Sequence, residues 1–138
     1  MPRKLPRIEP EFKYDFVLYI SKGYDEIRKE KFLKFLLETT QHFLAFNYEL
    51  DVYVSLENSN KIKFEIHGFK TPSSPVSKPG PARFEYRLYG YAEGVYTLTI
   101  VKKENIKNIF SIQIANDEIA IKNKPRKNSF IKLNIVEI

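Results

Sequence analysis

The chain has no cysteine among its 138 residues. That absence removes disulfide staples, thiolate nucleophiles and cysteine-held zinc or iron–sulfur centres together, and it fits a reducing compartment. Histidine is limited to His42 and His67, so a metal site would need carboxylates gathered by the fold, and no His-Glu-x-x-His spacing is present. A glycine-rich phosphate loop and a nucleophile elbow are also missing. No apolar run approaches the roughly 18 residues that cross a bilayer as a helix. The basic first thirteen residues have neither the apolar stretch nor the small-residue cleavage site of a secretory signal. These absences assign no catalytic residue, no cofactor and no metal, and they place the protein in the cytoplasm, with a secreted mature fragment as the alternative.

The residues that are present describe a β-rich chain. Apolar residues make up 43% and aromatics 14%, enough for a hydrophobic core and too much for wholesale disorder. Residues 1–10 hold three prolines and three basic side chains and read as an extended basic arm. Residues 11–138 read as one domain, since the length suits a single core. Phe12, Tyr14, Phe16, Leu18 and Ile20 alternate with polar or smaller positions, the two-residue period of a strand with one buried face. Gly23 reads as a turn residue.

Residues 25–46 read differently. Phe32, Leu33, Phe35, Leu36, Leu37, Phe43, Leu44 and Phe46 fall on one arc of a helical wheel, and Asp25 and Glu26 suit a helix N-terminus. The spacing predicts one long helix with Leu36 and Phe43 in the main core. After residue 47 the two-residue period returns. A hairpin is expected around 57–60, its outer face acidic on one strand and basic on the next, which favours cross-strand charge pairing. Four prolines within residues 69–82 predict a long loop. Further strands follow around 83–91, 95–101, 110–114, 119–121 and 130–138, with a tight turn at Asn116 and Asp117. The expected fold is α+β and mostly β. It is an antiparallel β-sandwich or strongly curved sheet of about eight strands with the helix packed on it.

Function enters through the strand at 83–91. Arg83, Arg87, Tyr89 and Tyr91 alternate with Phe84, Tyr86 and Leu88, which places two guanidinium groups and two phenols on one face. Arginine and tyrosine are enriched at protein–protein hot spots. They also serve stacking and phosphate contact in nucleic-acid binding. Glu85 sits amid them, and a Lys-rich composition already accounts for the net charge of +6, so the protein-interface reading is preferred, with a protein partner or self-association. Binding of single-stranded nucleic acid or RNA is the alternative, and carriage of a small apolar ligand under an aromatic-rich sheet is the second. His67, beside Gly68 at the mouth of the proline loop, completes the candidate binding residues.

Overall fold

Strands with apolar residues at every second position need a sheet that hides one face, and a long sheet of this kind must curl on itself. A computed structural model describes residues 14–43, 49–70, 80–102 and 106–136. Among them are nine strands: β1 (Phe16–Asp25), β2 (Glu30–Phe43), β3 (Glu49–Asn58), β4 (Lys61–Lys70), β5 (Gly80–Tyr89), β6 (Gly94–Lys102), β7 (Ile106–Ala115), β8 (Glu118–Asn123) and β9 (Ile131–Ile135). They form one sheet in the order β8-β7-β6-β4-β3-β5-β2-β1-β9, curled into a nearly closed barrel. No helix among the described residues is long and apolar enough to cross a membrane.

The expected helix is the main correction. Residues 30–43 form β2, paired antiparallel to β1 from Phe16 with Thr39 to Asp25 with Glu30. Leu33, Phe35, Leu37 and Thr39 point inward, and Lys34, Leu36, Glu38 and Thr40 are half-buried on the other face. The strand period was masked because the outer face also carries Phe32 and Leu36, which widens the apolar pattern into a helix-like arc. Leu36 is therefore not a core residue, and Phe43 packs only partly buried at the strand's end. The capping signal was real but serves a turn: Asp25 Oδ1 accepts hydrogen bonds from the amides of Ile27 (3.0 Å) and Arg28 (3.1 Å), and Lys29 takes a left-handed φ of 55° to enter β2.

Gly23 is likewise no turn residue. It lies in β1 opposite Phe32, and a Cβ there would come within 2.4 Å of the Phe32 ring. The expected arm 1–10, residues 44–46 of the expected helix and residues 71–79 of the expected loop lie outside the described residues. Gly80, Pro81 and Ala82, expected in that loop, are buried at the start of β5. The sheet is also not purely antiparallel, since β1 with β9, β4 with β6 and β3 with β5 are parallel. The turn at Asn116 and Asp117 is as expected, with φ of 52° and 60° between β7 and β8.

Two joints hold the curl. Where β3 meets β5, the ladder is a single pair, Glu49 with Arg83. Where the two sheet ends approach, a buried side chain replaces a ladder: Asn108 of β7 accepts from the amides of Phe130 (2.9 Å) and Ile131 (3.2 Å) and donates to the Asn128 carbonyl (3.1 Å). At the opposite end of the barrel the Lys22 ammonium donates to the Asp117 carbonyl. The interior is filled by side chains from both halves of the sheet, with Phe35, Phe64 and Tyr86 meeting at ring separations of 5.6 to 6.3 Å.

Two outcomes are expected from this arrangement. Leu37→Ala should lower unfolding free energy by about 2 to 5 kcal/mol, and Leu36→Ala by about 1 kcal/mol or less, as read from denaturant midpoints; equal losses would restore the helical orientation. Asn108→Ala strands two buried amides, each costing about 1 to 3 kcal/mol. A midpoint lowered by less than 1 kcal/mol equivalent would show that the sheet ends are held by something else.

Candidate functional site

The outer face of β5 and β2 is built by register. Arg83 stands opposite Glu38, Glu85 opposite Leu36, Arg87 opposite Lys34 and Tyr89 opposite Phe32. Alternation along β5 therefore does place Arg83, Arg87 and Tyr89 on one face with Glu85. Every cation of this face has an acidic partner. Arg83 Nε lies 3.2 Å from Glu38 Oε1, Arg87 Nε 2.9 Å from Glu85 Oε2, Lys34 Nζ 3.4 Å from Glu85 Oε1 and Arg28 Nη2 3.2 Å from Glu30 Oε2.

Aromatic stacking ties the same face to the β1–β2 turn. The Arg87 guanidinium lies 4.6 Å above the Phe32 ring and the Tyr89 ring 5.5 Å from it, so Phe32 is buried although it points outward. Arg28 covers Tyr89 at 3.6 Å, and the Tyr89 hydroxyl donates to Asp25 Oδ2 at 3.0 Å. The two residues with the strongest hot-spot character thus also seal a structural cluster. Amide hydrogen bonds from the turn and the Tyr89 hydroxyl hold the Asp25 carboxyl below its ordinary value. Burial pushes Glu85 up, but Arg87 and Lys34 more than offset it, and its net shift is downward.

Tyr91 does not join this face. β5 ends at Tyr89, Gly90 turns the chain with φ of 64°, and Tyr91 is buried in the core with Lys31 over its ring at 4.9 Å. Burial pushes its hydroxyl pKa up. His67 stands apart as well. It is the extra residue of a bulge in β4, where Asp51 pairs with Gly68 and Val52 with Ile66. Its partners are Glu65 at 3.4 Å and the Tyr53 ring at 5.2 Å. Lys63 and Glu65 do not make the expected charge pairing between β3 and β4: they pair with each other along β4 at 3.1 Å, and they stand opposite Ser55 and Tyr53. Lys63, then His67, lower the Glu65 pKa.

Beside the β5 face the sheet parts. Beyond Glu49 and Arg83, β3 pairs only with β4 and β5 only with β2 among the described residues. Two strand edges running in the same direction face this parting. Phe84, Tyr86 and Leu88 of β5 and Val52 and Val54 of β3 are only half-buried there, though all five pack against the core. A recess of about 430 Å³ opens at the start of the parting, between Lys34, Leu50, Arg83 and Glu85. This feature is the one that sequence reasoning missed, because strand order across the sheet leaves no local signal. A separate cavity of about 630 Å³ lies at the barrel end, with Phe43, Leu50, Ile66 and Phe69 in its wall. Among the described residues no group of three His, Cys, Asp or Glu could hold a metal ion. No family model, curated protein or solved structure matches the chain.

The depressed carboxylates fix the sign of the acid response. A carboxyl lowered in the folded state stabilises it above the unfolded pKa and loses that effect as pH falls through the folded pKa. Stability should be flat above about pH 5 to 6 and fall in acid, from near the ordinary values of 4.5 for Glu65 and Glu85 and 3.8 for Asp25 downward. In Tyr89→Phe the Asp25 midpoint, followed by carboxyl NMR, should rise towards 3.8. An unmoved midpoint would show that the hydroxyl does not hold this carboxylate.

Proposed function

We propose that this protein is a non-enzymatic interaction module that takes an extended segment of a partner polypeptide into the parting between β3 and β5, against the β5 face. The observation that carries the reading is the single-pair junction at Glu49 and Arg83, which leaves main-chain donors and acceptors of both strands without a strand partner among the described residues. Unpaired strand edges are the usual template for strand addition, with main-chain hydrogen bonds supplying affinity and alternate side chains supplying selectivity. Both edges run in one direction, so a single added strand would have the same sense relative to each. The half-buried Phe84, Tyr86 and Leu88 would receive its apolar side chains.

The charge pattern supports a polypeptide over a polyphosphate on this face. Arg83, Arg87 and Lys34 are already engaged by Glu38 and Glu85, and a phosphate would have to displace these carboxylates while meeting their repulsion. A peptide can instead exchange ion pairs with a face of mixed sign. Arg83, whose side chain is 55% exposed beside the parting, is the side chain best placed to contact it.

Selection of extended peptides from a displayed library tests the proposal. Selected peptides should slow amide exchange in residues 84–89 and 50–56, and Arg83→Glu should weaken them about tenfold, equivalent to about 1.4 kcal/mol. Peptides that protect other strands, or a library that yields no binder, would overturn it.

A further inference from the structure

Residues 119–136 contain five cations, Lys122, Lys124, Arg126, Lys127 and Lys132, and no carboxylate. All five side chains are exposed, and none forms an ion pair with a described residue, in contrast to the fully paired β5 face. The fold brings them to one place. Lys122 is near the end of β8, residues 124–130 connect β8 to β9, and Lys132 is on β9, so the five lie along the segment that joins the two ends of the sheet, and three of them line the gap. Asp15, whose amide donates to the Phe130 carbonyl, is held by Lys102 at 2.8 Å.

That gap is a groove of about 510 Å³, with Lys124, Arg126 and Lys132 in its wall and Phe110, Ile121 and Leu133 also lining it. Asn128 and Ser129 add neutral polar groups, and Tyr14 an aromatic one. A single-stranded nucleic acid presents one phosphate and one flat apolar base per nucleotide. A groove with cations and apolar or aromatic walls matches both features. An acidic peptide would satisfy the cations but leave the apolar wall without a counterpart at each step. Duplex DNA would keep its bases stacked inside, where this wall could not reach them.

We infer that the groove between β8 and β9 is a binding site for single-stranded nucleic acid, contacted through phosphate by Lys124, Arg126 and Lys132. This site is separate from the β3–β5 parting and does not depend on it.

Fluorescence anisotropy with a labelled twelve-nucleotide oligothymidylate tests the inference on the full chain. Binding should be measurable at 50 mM salt and fall about 20- to 130-fold by 200 mM, the slope expected for three to five phosphate contacts on a single strand. Lys124→Gln with Arg126→Gln and Lys132→Gln should abolish it, whereas Lys29→Gln with Lys61→Gln, exposed cations away from this groove, should leave it within about twofold. Should the triple variant fail to fold, each single variant should reduce the log–log salt slope by about 0.7. Four results would overturn the site: no binding at 50 mM salt, equal loss in the control variant, equal competition by a duplex of the same length, or equal competition by polyglutamate.

Discussion

One buried amide decides how this sheet ends. Nine strands that hide a single face must bring their first and last members close, and strand β8 is too short and β9 too brief to complete a ladder between them. Asn108 supplies the missing pairing by accepting twice and donating once across the gap. An aliphatic residue there would leave the amides of Phe130 and Ile131 buried without partners, and the start of β9 would lose its tie to β7. The position of the β8–β9 connection, and hence of its five cations, follows from this side chain.

Closure at one joint leaves the other under-paired. The junction of β3 with β5 has one ladder position, so the structure resembles two curved half-sheets sharing a core more than a uniform barrel. The half-sheets are held chiefly by apolar contact, with Phe35 and Tyr86 from one meeting Phe64 from the other. Such contact is non-directional and tolerates a parting that hydrogen bonding would have closed. The two openings differ in chemistry: one is flanked by balanced charge, the other by uncompensated cations.

The sequence was legible where one face of a strand was clearly polar. Phe16, Leu18 and Ile20 in β1 were correctly placed on one buried face by alternation alone. It failed at β2 because Phe32 and Leu36 are apolar on the outer face, and the cover that makes this tolerable, Arg87 and Tyr89, comes from a strand more than 50 residues later. Arg83, Arg87 and Tyr89 were read onto one face by the same alternation. Tyr91 was misplaced because the strand ends at Tyr89, two residues earlier than the period implied, where Gly90 turns the chain. Strand order could not be read, since parallel and antiparallel neighbours impose the same two-residue pattern. The expected sandwich or curved sheet bearing a helix therefore gives way to an all-strand, barrel-like sheet of mixed direction.

The pairing of β1 with β9 also bears on how the chain is made. Phe16 finds its second neighbour at Ile131, 115 positions later, so at about 5 to 20 residues per second a ribosome exposes β1 for roughly 6 to 23 s before that partner exists. Over that interval β2 can cover one side of β1, and the other side is an open template for a neighbouring nascent chain. Conditions that slow elongation should therefore lower the soluble yield of this protein more than that of a protein whose first strand pairs only with nearby sequence.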